Sequence, residues 1–359
     1  MGSFLDEKNK ETKEKVRKQL VLFPDYVGRY MLHIWRKSSG QTLLNYLGDY
    51  KIFFKWLVQE GHFSGELKDI PLSILNDLSL DDVNFYLSYL DDNYKKSSAN
   101  RRLSSLKSLF RYLSDLAENQ DGSPLLHRNV MAKVDLHKIE ETAKSKADKI
   151  ANKILVKTDE YDEQKEFLEF IYEGYLSFCK DKRDITMHLK NRDRDTAFIS
   201  LVLATGLRAF EVEALDLEHI SMKNNTVRVI GKGGLEDILY FGDTAKTDLE
   251  RYLSVRVSNY KVVEEENALF VSFSTRTGKP GRLNKSSLQK IVKKYSIAFE
   301  KNSMSIHKLR HSFITRFHSI SRDIAVTQQA ARHKNPATTQ IYNHISQEMI
   351  KEAFRKANE

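Results

Sequence analysis

The sequence predicts a mainly α-helical protein of two domains, the second carrying a small antiparallel β-sheet. Apolar residues recur three and four positions apart along most of the chain, which is the spacing of amphipathic helices. Only five prolines interrupt the 359 residues, so long helices meet few breaks. One pair of short apolar segments, 226–230 and 238–241, flanks Lys232, Gly233 and Gly234 and reads as a hairpin. The length suits two domains, and hydrophobic residues at 40% suffice to bury their cores.

In the first half, Pro24 opens a helix whose Tyr26, Val27, Tyr30 and Met31 share a face. A second helix, 43–57, carries Leu44, Leu47, Ile52, Phe53 and Trp56, and two more follow at 80–90 and 98–113. The last turns Leu103, Leu106, Leu109, Phe110 and Leu113 inward. Lys95, Lys96, Arg101, Arg102, Lys107 and Arg111 crowd its start and outer face, and Ser97, Ser98 and Asn100 stand where they can cap it or meet a phosphate. A basic face of this kind is either simply solvated or a polyanion contact. Residues 120–124 form a turn, and the charged stretch 133–157 is read as the connection between domains. This gives a first domain over 1–135, a linker over 136–160 and a second domain over 161–359.

The second half begins with a helix through Phe167, Phe170 and Ile171. A buried helix over 193–205 follows, with Gly206 as a left-handed cap, then a short helix over 209–215. After the hairpin, 268–271 is a candidate strand, and everything beyond Leu283 is helical.

Charge and cysteine content narrow the function classes. Lys and Arg total 58 against 49 Asp and Glu, a formal charge of +9, which favours a polyanion partner such as nucleic acid. The single cysteine, Cys179, excludes an internal disulfide and any cysteine-based metal cluster and fits a reducing compartment. No apolar run approaches bilayer-spanning length, and residues 1–8 lack the apolar core of a signal peptide, so a cytoplasmic protein is expected.

The chemistry-bearing residues lie in the second half. Arg208 sits just past Gly206, with Glu211 one turn on. Lys232 stands at the hairpin tip. His307, Arg310 and His311 share a helix, and His333 and Tyr342 follow. Taken singly, each has an ordinary explanation: a surface ion pair, a solvated turn lysine, a structural histidine, a packed aromatic. Together they suit a phosphodiester. Arginine offers a planar fork matching phosphate oxygens, histidine moves protons near neutral pH, and a deprotonated tyrosine is a covalent nucleophile.

In order and spacing these residues resemble the tyrosine recombinase (integrase) family. The match runs through Ala204-Thr205-Gly206-Leu207-Arg208-Ala209-Phe210-Glu211, the hairpin Val227 to Gly233, the His307-x-x-Arg310-His311 helix, His333 and Tyr342. Residues 22–27, 69–75 and 128–131 are similar to the Xer branch of that family. The resemblance implies an N-terminal SAM-like core-binding bundle that closes on DNA opposite the catalytic domain. It implies that Tyr342 attacks a scissile phosphate, giving a 3′-phosphotyrosyl bond and a free 5′-hydroxyl. Arg208 and Arg310 would neutralise the non-bridging oxygens, and Lys232 would protonate the leaving 5′-oxygen. His307 would take or return the tyrosine proton and His333 would bind the phosphate, with Glu211 orienting Arg208 and His311 in support. The basic helix residues Lys95, Lys96, Ser98, Arg101, Arg102, Lys107 and Arg111 would contact DNA.

No cofactor or metal is expected, because the phosphotyrosyl bond stores the energy for religation. The implied partners are a double-stranded DNA site with inverted-repeat arms, a homotetramer joining two such sites, and a DNA translocase. The segment 346–357, with Met349, Ile350, Ala353 and Phe354 at helical spacing, would dock into a neighbouring protomer. One position departs from the family pattern: a small residue, commonly glycine, usually precedes the histidine at 333, and here Arg332 stands there. Chromosome dimer resolution is the leading role. A mobile-element integrase or transposase, a type IB topoisomerase and a non-catalytic DNA-binding relative are alternatives. A metal-dependent nuclease would need a tight carboxylate cluster that the sequence does not display.

Overall fold

The computed structural model describes residues 4–138, 154–155, 161–231, 236–301 and 304–342. The chain divides into two compact units, Met1–Glu140 and Glu141–Glu359. Of the expected linker only 136–138 and 154–155 are described, and the expected docking tail 346–357 lies outside the described residues.

The first unit is a helical bundle: α1 (Phe4–Leu20), α2 (Asp25–Ile34), α3 (Gly40–Gln59), α4 (Leu72–Asp77), α5 (Leu80–Asn93) and α6 (Lys96–Asp115). Their starts are fixed by local chemistry. Ser39 accepts a bond from the Thr42 N–H ahead of α3, and Ser79 with Asp82 forms a reciprocal capping box ahead of α5. Gly40 lets α3 press on α1: its N–H donates to Asn9 Oδ1 at 2.7 Å, and a Cβ there would stand 2.9 Å from the Thr12 Cβ. The expected inward residues of α6, Leu103, Leu106, Leu109, Phe110 and Leu113, are all buried. They meet an aromatic core in which Phe53 packs edge-on against Tyr86 and Phe110.

The start of α6 differs from expectation. The helix begins at Lys96 with no side-chain cap, so Ser98 already lies within its first turn. Asn100 holds residue 137 instead, its side chain bonding both the N–H and the carbonyl of His137.

The second unit contains α7 (Glu163–Tyr172), α8 (Lys182–Thr205), α9 (Ala209–Ala214), α10 (Asp243–Tyr260), α11 (Lys285–Ala298), α12 (Ile306–Ser321) and α13 (Ile324–Ala331). Helix α8 is its axis, packing against α7, α10 and α12. It starts at Lys182, well before the expected 193, because the Asp181 carboxylate caps it by accepting the Asp184 N–H at 2.8 Å. Its first turns are charged and mostly exposed, so they carry no apolar period.

Strands β1 (Ile220–Ser221), β2 (Thr226–Ile230) and β3 (Glu236–Tyr240) form an antiparallel sheet in that order, the expected hairpin plus a short third strand. The third expected strand, 268–271, is displaced. Val271–Ser274 (β4) pairs with Lys279–Arg282 (β5), whereas Ala268 makes only an isolated bridge to Asp216. The stretch before β4 bonds elsewhere: the Leu269 N–H goes to the Leu215 carbonyl, and the Phe270 carbonyl accepts from the Leu283 N–H.

Gly206 joins this scaffold to the site. It closes α8 in the left-handed region at φ +66°, as the sequence predicts. A Cβ there would also overlap the Phe313 ring on α12. Gly206→Ala should therefore cost more than the roughly 1–2 kcal/mol of left-handed strain alone. The expected loss is about 2–4 kcal/mol, read as a lower urea midpoint. An unchanged midpoint would refute the close approach of α8 and α12.

Candidate active site

The candidate side chains are brought together by helix ends. Arg208 stands at the N-cap of α9, and Glu211 in the first turn folds back to it. Glu211 Oε2 accepts the Arg208 backbone N–H at 2.7 Å, and Oε1 accepts Arg208 Nη1 at 3.0 Å. Helix α12 presents His307, Arg310 and His311 within one turn. Helix α13 ends at Ala331, and Arg332 follows as a left-handed cap at φ +53°, immediately before His333.

Arg310 is 2% exposed and spends its guanidinium on backbone carbonyls, donating from Nη1 to Gly206 and from Nη2 to Ala331. Arg208 Nη2 donates to the Arg332 carbonyl at 2.9 Å. Arg332 in turn grips Glu211 through both ends of its own fork, at 2.9 and 2.8 Å. Two guanidinium groups thus grip one fully buried carboxylate, while the third, Arg310, is bonded to helix-end carbonyls beside them. Burial, then the neighbouring Arg208 and Arg332, push the Arg310 pKa down to about 10. A pocket that strains a guanidinium in this way is one that an anion would relieve.

The histidines do not add to that charge at neutral pH. Burial, followed by the nearby His307, Lys308 and Arg310, brings His311 down to about 3. Burial and then Arg310 bring His333 down to about 4, and the same two causes lower His307. Neutral imidazoles can accept a proton. Tyr342 is fully buried, and its hydroxyl is hydrogen bonded to His311 Nδ1. With the phenol donating, His311 carries its own proton on Nε2. Burial raises the Tyr342 pKa well above that of a free phenol and Arg310 pulls it back, so the resting phenol is protonated.

His307 touches His311 edge to face, with ring centroids 4.5 Å apart. The direct partner of the phenol is therefore His311, expected only in support, while His307 stands one ring further away. Spacing puts both rings on one face of the helix and does not decide between them. His333 stacks near Tyr342, with ring centroids 6.3 Å apart, and its Nδ1 lies 3.0 Å from the hydroxyl of Thr339, a residue with no sequence signature. Lys232 falls between the paired Ile230 and Glu236 and lies outside the described residues.

The candidate DNA-contact residues of the first unit divide into two groups. Lys95, Lys96, Arg101 and Arg111 are exposed. Arg101 leans on buried Asp49 at 2.8 Å, and Arg111 lies 3.6 Å from Asp115. Arg102 and Lys107 differ from expectation. Arg102 stacks over Tyr94 at 3.8 Å, approaches Asp49 at 3.9 Å and donates to the Ser98 carbonyl, while Lys107 donates to the Val134 carbonyl. Internal contacts thus engage the groups that the sequence offered to phosphates, because both side chains lie half-buried beside carboxylate and carbonyl acceptors.

Residues 179–349 match the Phage integrase family, and residues 27–115 match the phage integrase N-terminal SAM-like domain. The chain is 34% identical over 363 residues to the tyrosine recombinase XerS of Lactococcus lactis subsp. lactis, covering 97% of this chain and 99% of that protein. It is 34% identical over 359 residues to the tyrosine recombinase XerS of Streptococcus mutans, covering 96% and 98% respectively. Among solved structures, the XerH site-specific recombinase bound to its difH substrate superposes with a TM-score of 0.59 at 19% identity. That likeness of fold spans 88% of this chain and 80% of the other.

The depressed histidines make stability depend on pH. An unfolded chain protonates His311 and His333 as pH falls through 6.5, whereas the folded chain resists until about pH 3 and about pH 4. The unfolded state binds more protons in that window, so acidification removes stability. Each ring contributes at most about 1.4 kcal/mol per pH unit, less where solvent reaches it. The urea midpoint should be lower near pH 5 than near pH 7.5, and His311→Gln should narrow the difference. A gap of the same size in that variant would contradict the buried neutral imidazole.

Proposed function

The chain belongs to the phage integrase family and is a site-specific tyrosine recombinase of the Xer type; on that premise we propose that Tyr342 cuts DNA through a 3′-phosphotyrosyl bond and that the physiological role is resolution of chromosome dimers. The observation that carries the chemistry is the convergence of a buried phenol, neutral imidazoles and excess guanidinium charge in one pocket.

In this reading the phenol oxygen forms a bond to phosphorus, and the bond from phosphorus to the 5′-oxygen breaks. The phenol proton passes to His311, with His307 behind it, and the leaving 5′-oxygen takes a proton from Lys232. Arg208 and Arg310 bind the non-bridging oxygens as charge builds on them, the differential stabilisation that lowers the barrier. His333 donates a hydrogen bond to the same phosphate, leaving its Nδ1 on Thr339. Religation reverses the atoms: a 5′-hydroxyl attacks phosphorus and the phenol leaves.

Double-stranded DNA is the partner, and the exposed Lys95, at the N-cap of α6, with Lys96, Arg101 and Arg111 on that helix, are the proposed backbone contacts of the first unit. Assembly is proposed as a homotetramer on two sites. A groove of about 440 Å³ on the second unit supports exchange of the C-terminal segment. Leu168, Leu203, Phe313, Phe317 and Ile320 line it, and they suit apolar side chains such as Met349, Ile350 and Phe354. No helix among the described residues is long and apolar enough to cross a membrane, and the proposed site of action is the cytoplasm.

A nicked duplex that traps covalent protein–DNA adducts tests the reading. Wild-type protein should form an adduct in the presence of a chelator, while Tyr342→Phe should bind the DNA and form none. An adduct of equal yield in Tyr342→Phe would remove the nucleophile assignment. Arg310→Ala should slow cleavage by about 100-fold or more with a much smaller loss of binding. DNA affinity should also fall steeply with added salt, and a flat response would contradict the basic contact surface.

A further inference from the structure

Glu211 is held from two sides. It accepts from the backbone N–H and Nη1 of Arg208, and also from both Nη atoms of Arg332 at 2.9 and 2.8 Å. The second grip is maintained against resistance. Arg332 sits at φ +53°, a region that residues with a Cβ rarely occupy. Its side chain is only 10% exposed, and its Nε is buried without a hydrogen-bond partner among the described residues. An arginine with no task here would turn towards solvent and regain hydration at all its nitrogens. The bidentate fork on a fully buried carboxylate is the interaction that holds it inward.

The same residue reaches Arg208 a second way, because the Arg332 carbonyl accepts from Arg208 Nη2 at 2.9 Å. Both terminal nitrogens of the Arg208 guanidinium therefore rest on acceptors that Arg332 fixes: Nη1 on Glu211, and Nη2 on the Arg332 backbone itself. Arg208 is 33% exposed at its side chain, so a ligand can reach it.

We propose that Arg332 is a positioning residue for strand cleavage, its fork locking Glu211 so that Arg208 is held in the orientation required at the scissile phosphate. This rests on the phosphoryl-transfer reading given above. Arg332 replaces conformational freedom at a helix end with a rigid strut, and the backbone strain is the cost of that rigidity.

Single-turnover cleavage of the nicked duplex at saturating protein separates this role from a merely structural one. Arg332→Gly suits the left-handed backbone, so folding and thermal midpoint should be kept. Its cleavage rate should fall by about 10- to 100-fold with DNA affinity retained. Arg332→Lys keeps the charge and loses the fork, and it should remain slow. Combined with Glu211→Gln, the effect of Arg332→Gly should be smaller than in the wild-type background, since both changes remove the same contact.

A wild-type rate in Arg332→Gly would overturn the inference. So would full recovery in Arg332→Lys, independent effects in the double variant, or a loss of rate matched by an equal loss of DNA affinity. The wild-type reaction is the reference: failure of wild-type protein to form any adduct would overturn the phosphotyrosyl chemistry itself, whereas wild-type cleavage with unaffected variants would overturn only the role of Arg332.

Discussion

The confinement of like charges is the constraint on which the second unit depends. Arg208 and Arg332 are held within bonding distance of a single carboxylate, and Arg310 and Arg208 within bonding distance of a few carbonyls. Left alone they would repel and seek water. The fold prevents this by aiming the carbonyl ends of two helices at them. Gly206 closes α8, and Ala331 and Arg332 close α13, and all three carbonyls accept from guanidinium groups. The last carbonyls of a helix lack intrahelical partners and carry its negative pole. One set of groups that needs donors thus meets another that needs acceptors. The helix-end positions, the left-handed caps and the close approach of α8 to α12 all serve that exchange. What remains is net positive charge, reachable from solvent at the part-exposed Arg208, and an anion is its complement.

Much of this was legible in the sequence, for reasons that differ by element. The buried faces of α2, α3 and α6 announce themselves through apolar periodicity, and Gly206 through its place after a buried helix. The hairpin shows in two alternating segments around glycines. Helix α10 escaped because its sequence mixes charged and apolar residues without a clean stripe, and the first turns of α8 because they are polar and solvated. The exact strand near 271 depended on which residues Leu215 and Leu283 would claim, a tertiary choice with no local signature.

The site shows the same division between identity and contact. The residue types point to phosphate chemistry, yet their partners could not be read from spacing. His307 and His311 are equivalent on a helical wheel, and only the position of Tyr342 decides that His311 takes the hydroxyl. Arg332 looked like an intrusion beside His333, and in the fold it closes the Glu211 ion pair. Conversely, Arg102 and Lys107 looked available on a basic face, but Tyr94, Asp49 and the Val134 carbonyl had already engaged them. Composition registers a cation wherever it lies. It does not register whether a nearby acceptor has consumed it.

The complete burial of Tyr342 bears on fidelity. A breaker of DNA strands carries a hazard: an exposed nucleophile would nick whatever duplex it brushed against, and a trapped protein–DNA lesion would follow. Here the phenol idles beneath its own imidazoles, still protonated and out of reach of solvent. A collision that leaves this packing in place does not bring the phenol to a phosphate. In the proposed reaction the phenol would have to leave this packing before it could meet a phosphate, which would place a structural step ahead of any bond breaking.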